Sequence, residues 1–182
     1  MKRIALAAGF VATVIAANWT LETFGMIELP LIAWMAPAGV FWAGLGFGLR
    51  DALHEAGGSR WVLGCIAVGT AVSWWMSDAV TIPGGHTSIA LASGTAFACS
   101  ELADWLIYTP LRERQWVGAV IASNVVGSVI DSALFLTLAF GAVDAMGGQI
   151  AGKVVMILPA LPVVWGVRRR AVPRYRFDGI GA

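Results

Sequence analysis

Six apolar runs follow one another along this chain, each close to the length a helix needs to cross a bilayer, with only short connectors between them. They cover residues 4–21, 29–49, 61–80, 87–108, 117–140 and 148–167 of 182. A hydrocarbon core about 30 Å thick calls for about 20 residues at about 1.5 Å each. Hydrophobic residues make up 58% of the chain and charged residues 13%, against about 45–50% and about 25% in a soluble domain. One small core cannot hide that excess, so lipid is the expected solvent. The connectors carry turn chemistry: Gly57-Gly58-Ser59, Pro83-Gly84-Gly85 and Gly147-Gly148. The expected fold is all-α: a polytopic membrane protein in which residues 1–182 form a single six-helix transmembrane domain with a basic tail at 168–182. The start of the chain, Lys2-Arg3 before an apolar run with small residues at Ala16-Ala17, also fits a signal peptide. Removing it would leave five spans and spoil the charge pattern described next.

Of the 12 Lys and Arg residues, Lys2 and Arg3 precede the first run, and Arg50 and Arg60 flank the second connector. Arg112 and Arg114 follow the fourth run, and Arg168, Arg169, Arg170, Arg174 and Arg176 form the tail. The alternate connectors, 22–28, 81–86 and 141–147, contain none. The positive-inside rule therefore predicts both termini in the cytoplasm. The tail reads as a topology anchor against lipid headgroups rather than a nucleic-acid site. Trp61, Trp105 and Trp116 fall where interfacial belts belong, while Trp34, Trp74 and Trp75 suit lipid contact better than a pocket wall. Cys65 and Cys99 lack metal-ligand spacing and read as buried thiols. His54 and His86, in different connectors, argue against a histidine metal centre. No cofactor or metal is expected.

The remaining charges are the informative ones, because a charge at the bilayer centre costs about 2.5–3.5 kcal/mol and usually faces a cavity. Phe97, Glu101, Asp104 and Tyr108 share one face of the fourth helix. Asn124, Gly127, Ser128 and Asp131 form a similar stripe on the fifth, and Gln149 and Lys153 lie four apart on the sixth. Such groups can be interhelical glue, Lys153 pairing with Asp131 or Glu101. Glue, however, does not require three acids (Glu101, Asp104, Asp131) against one base, a net −2. Unpaired buried carboxylates take up protons instead, which makes one of them a candidate proton carrier or a partner for donors on a ligand. Asp78 and Asn18 are expected near solvated outer helix ends, and Asp51, His54 and Glu55 in a solvated cytoplasmic connector.

The same stripes carry a resemblance. Ala96-Phe97, Ser100-Glu101 and Asp104, then Ser123-Asn124, Gly127 and Ile130-Asp131, then Gly148-Gln149 and Gly152-Lys153 follow the pattern AF-x-x-SE-x-x-D, SN-x-x-G-x-x-ID, GQ-x-x-GK. That pattern resembles the VUT family of queuosine precursor transporters, most strongly over residues 90–155. Ala38-Gly39, Arg50-Asp51 and Glu55-Ala56-Gly57 fit more loosely, and the short Gly-rich outer loops and brief first helix depart from the family. The resemblance implies a six-helix, multi-pass protein of the bacterial inner membrane that takes up 7-deazaguanine bases such as preQ0 or preQ1. Its implied partners are a small nucleobase and the lipid bilayer. A chain of this size is also compatible with a homodimer.

The implied binding residues are Phe97, Ser100, Glu101, Asp104, Asn124, Asp131, Gln149 and Lys153. A carboxylate, Glu101 or Asp104, can accept the guanine-like N–H and amino edge in bidentate fashion. Asn124 or Gln149 can serve the carbonyl and remaining nitrogens, and Phe97 a stacking face. Asp131 and Lys153 complete the pocket or couple to a proton. Two other classes fit less well. A substrate-binding subunit of an energy-coupling-factor importer would need ATPase partners, since this chain carries no Walker motif. An intramembrane enzyme using an acid pair lacks a nucleophile–histidine arrangement or a phosphate loop, so no enzyme activity is expected.

Overall fold

The structure, a computed structural model, describes residues 2–29, 33–76 and 89–171. The expectations for Asp78, His86, the loop 81–86 and the tail beyond Ala171 lie outside these residues. The helices are α1 (Lys2–Phe24), α2 (Val40–Gly57), α3 (Ser59–Met76), α4 (Ile89–Leu111), α5 (Trp116–Phe140), α6 (Met146–Val155) and α7 (Ile157–Ala171). Between α1 and α2 stand two short strands, β1 (Met26–Glu28) and β2 (Met35–Pro37). They pair antiparallel, with Met26 opposite Pro37, Ile27 opposite Ala36 and Glu28 opposite Met35. Among the described residues three helical stretches are long and apolar enough to cross a membrane: Lys2–Phe24, Trp116–Phe140 and Met146–Arg169.

The first apolar run is not brief, since α1 spans 23 residues. The second departs most from expectation. Leu29 and residues 33–39 are not helical, and α2 begins at Val40, about eleven residues after the apolar run starts. Pro30 and Pro37 bracket this stretch in sequence, and the residue before a proline is pushed towards extended backbone. Gly25, at φ +62°, stops α1 in the left-handed conformation that glycine adopts without a Cβ penalty. The shift carries Arg50, Asp51, His54 and Glu55 out of the expected connector and into α2. Arg50, Asp51 and His54 are buried there.

α2 is the hub of the bundle, packing against α1, α3, α5, α6 and α7. Its glycines explain how. A Cβ on Gly44 would sit 2.8 Å from the Cα of Lys153, and one on Gly48 would overlap the side chain of Ala160. The two are four apart, so one face of α2 lets α6 and α7 approach to backbone distance. Gly48→Val is therefore expected to destabilise the bundle by about 1–3 kcal/mol, the usual cost of overpacking. Thermal unfolding of the detergent-solubilised protein checks this, with an unchanged melting temperature as the contrary result.

The sixth apolar run is broken rather than continuous. The Met156 N–H bonds back to Lys153 O at 3.1 Å, a three-residue step, before α7 resumes. Pro159 lies just beyond, and its ring crowds the carbonyl of Val155, four residues earlier. Cys65 is buried as expected, but Cys99 is exposed on α4, because it occupies the face of that helix opposite the polar stripe.

Candidate binding cavity and its ionic floor

The polar stripe of α4 organises the interior into three successive layers over roughly 16 Å of helix, the rise of the eleven steps from Phe97 to Tyr108. Phe97 and Glu101 face a cavity. Asp104 faces Arg50, and Tyr108 faces Glu55.

The space within the cavity and its open mouth amounts to about 680 Å³. It lies in the half of the bundle that carries the hairpin, and Pro37 and Gly39 contribute to its wall. Glu101, Asp131, Gln149 and Lys153 supply its charged and amide groups, and Phe47, Phe97 and Phe135 its aromatic faces. Thr13 and Asn18 of α1 and Ser93 of α4 add neutral polar groups. Asn18 was expected at a solvated helix end. Instead it is buried and donates to Ser73 at 3.1 Å, while its carbonyl accepts from Ser93 at 2.9 Å. These bonds tie α1, α3 and α4 together at the cavity wall.

Lys153 is fully committed. Its three ammonium protons are matched by Asp131 Oδ2 at 2.5 Å, Ser132 Oγ at 2.9 Å and Gln149 Oε1 at 2.7 Å. An ammonium carries three donors and no acceptor, so Lys153 acts here by holding its neighbours. Because the Gln149 carbonyl points at Lys153, its amide nitrogen is the group left to offer a donor to the cavity.

Below the cavity sits Arg50, with none of its surface exposed. Its guanidinium contacts Asp51 Oδ1 at 3.0 Å and Glu101 Oε2 at 3.4 Å, and pairs closely with Asp104. Asn124 donates to Asp51 Oδ2 at 2.8 Å and to the Val120 carbonyl at 2.7 Å. Arg50 also stacks over the Tyr108 ring at 5.6 Å. This layer underlies the cavity and reaches it through Glu101. It corrects the count of three acids against one base, since Arg50 is a second buried cation and Asp51 a fourth carboxylate.

The third layer lies at the opposite end of the bundle. Glu55, 3% exposed, accepts from Tyr108 at 2.8 Å and is approached by Arg112 at 3.4 Å and Arg168 at 3.2 Å. It joins α2, α4 and α7, so the solvated connector expected for Glu55 is instead an inter-helix clasp.

Of the eight expected binding residues, Phe97, Glu101, Asp131, Gln149 and Lys153 meet at one cavity. Asp104 and Asn124 belong to the Arg50 layer beneath it. Ser100 is buried and turns its hydroxyl back to the Phe97 carbonyl at 3.0 Å. Trp34, Trp74 and Trp75 are exposed and take no part in the wall. The apolar run ends at Leu49, which hides Arg50 from a hydropathy reading; the prolines at 30 and 37 are the sequence signal that the helix starts later. Asn18 was legible as the one amide inside the first run.

A protein-family model described as "Putative vitamin uptake transporter" matches residues 10–167. The chain belongs to the VUT family. The matched stretch runs from α1 into α7 and contains every residue of the cavity, the Arg50 layer and the Arg112 side of the clasp. The family is one of transporters, so the cavity belongs to a membrane protein that moves a small molecule. Comparison with curated proteins and with solved structures gave no match.

Proposed function

We propose that this VUT-family protein imports 7-deazaguanine bases, the precursors of queuosine, across the bacterial inner membrane as a secondary transporter. The observation that carries the reading is the convergence of Glu101, Gln149 and Phe97 on one cavity. A 7-deazaguanine presents a flat bicycle, an N–H beside a carbonyl, and an amino group. Glu101 accepts from the ring N–H through a carboxyl oxygen, the Gln149 amide donates to the carbonyl, and Phe97 stacks on the ring. Lys153, itself paired with Asp131, holds Gln149 in that orientation. The motif resemblance over residues 90–155 points to the same substrate class.

On this reading the chain has six spans, the broken α6–α7 unit counting as one, and the basic end faces the cytoplasm. The hairpin end then opens outward.

Isothermal titration of the purified protein with 7-cyano-7-deazaguanine tests the assignment, with 7-deazaadenine as the control lacking the N–H and carbonyl edge. Binding of the first and at least tenfold weaker binding of the second are expected; equal affinity or no binding of either would refute it. Phe97→Ala should weaken that binding about tenfold, since stacking on an aromatic contributes about 1–3 kcal/mol per base. Unchanged affinity in the same titration would remove Phe97 from the site.

A further inference from the structure

Three buried carboxylates, Asp51, Glu101 and Asp104, surround one guanidinium. Among the described residues, Arg50 is the cation at ion-pair distance from these three. The second cation, Lys153, is matched by Asp131. Two cations against four carboxylates leave −2, a charge that a dehydrated interior does not hold when a proton is available. The three carboxylates are not equally secured. Asp51 has both Arg50 and the Asn124 amide, and Asp104 has the closest Arg50 contact. Glu101 has the longest contact, 3.4 Å through one oxygen, and lines the cavity as well.

We infer that Glu101 is the proton-carrying group that couples uptake to an inward proton movement. The inference rests on the proposed substrate class. Ionised, Glu101 belongs to Arg50. When a proton from the outer water adds to a carboxylate oxygen, the charge that held it to Arg50 is gone. The neutral acid now has one O–H donor and one carbonyl acceptor. That pair matches the carbonyl and ring N–H of a 7-deazaguanine, two adjacent atoms that accept and donate in the opposite sense. Proton and base therefore bind together at one residue, the condition for symport. When the proton leaves to the cytoplasmic water, Glu101 returns to Arg50 and the base loses its partner. The ionisable groups facing Glu101 are Arg50 and Asp51 from α2, Asp131 from α5, Lys153 from α6 and Asp104 one turn along α4. The polar groups of α1 at the cavity, Thr13 and Asn18, are neutral.

The test uses the full chain in proteoliposomes with tritiated 7-cyano-7-deazaguanine. Wild type should exchange the base at equal pH on both sides and accumulate it severalfold when the outside is made acidic. An uncoupler should abolish the accumulation. Glu101→Gln mimics the protonated acid, with a carbonyl and an N–H but no exchangeable charge. It should go on exchanging, at a reduced rate, yet fail to accumulate above equilibrium at any imposed gradient. Glu101→Asp should restore part of the gradient response. Accumulation by wild type that ignores the pH gradient, or by Glu101→Gln that still follows it, would overturn the proton assignment. Glu101→Gln that fails even to exchange, while folded by size exclusion, would also overturn it. Absence of exchange by wild type would instead reject the substrate class.

Discussion

Arg50→Gln is expected to destabilise the folded protein by about 3–5 kcal/mol, the cost of leaving buried charges without their partner. Asp51, Glu101 and Asp104 all converge on this one side chain, from α2 and α4. Glutamine keeps a hydrogen-bonding group but no charge, so three carboxylates would be left to repel one another below the cavity. Removing one of them as well should help: Arg50→Gln/Asp104→Asn is expected to recover a large part of the loss, because the group in closest contact with Arg50 becomes neutral too. Thermal unfolding in detergent measures both. Equal melting temperatures for wild type and the single variant would contradict the central place given to Arg50.

The second large effect is on transport. Lys153→Met should lower uptake about 100-fold, because the bond that holds the Gln149 carbonyl is one to a charged group, a contribution of about 1.5–3 kcal/mol. The Gln149 carbonyl would lose its anchor and its amide would no longer be held towards the cavity. Stability should suffer less than with Arg50, since Asp131 is 17% exposed and can be served by water. Lys153→Met/Asp131→Asn should then recover stability without recovering uptake. Initial rates in whole cells, normalised to membrane expression, give the answer. A double variant with wild-type uptake would show that this pair is glue and nothing more.

Both predictions depend on groups that the sequence revealed unequally. The stripes on α4, α5 and α6 were legible because helical spacing alone puts Phe97 with Glu101, or Gln149 with Lys153, on one face. Which members of a stripe share a cavity was not legible. Asp104 lies only three residues from Glu101, yet it faces Arg50 while Glu101 reaches the cavity. That split depends on where α2 sits. The apolar run places α2 too early, since its stretch Met35–Pro37 pairs as a strand with Met26–Glu28 instead of joining the helix. Correcting that start turns Arg50 from a topology marker into the floor of the site, and Glu55 into a clasp. The break between α6 and α7 was likewise written in Pro159, but hydropathy averages over such breaks. Asn18 shows the reverse case, where a polar residue near a helix end was assigned to water although its partners Ser73 and Ser93 come from helices distant in sequence.

The measurement that tests the central claim most directly is restoration of tRNA queuosine in a bacterium lacking its own precursor synthesis and importer. The strain would express this chain alone and be fed trace 7-cyano-7-deazaguanine, with tRNA retardation read on a boronate gel. A retarded queuosine band is predicted, lost on Lys153→Met. No band despite full membrane expression would contradict partner-free import of these bases, and a band appearing only with co-expressed energy-coupling ATPases would identify the chain as a substrate-binding subunit.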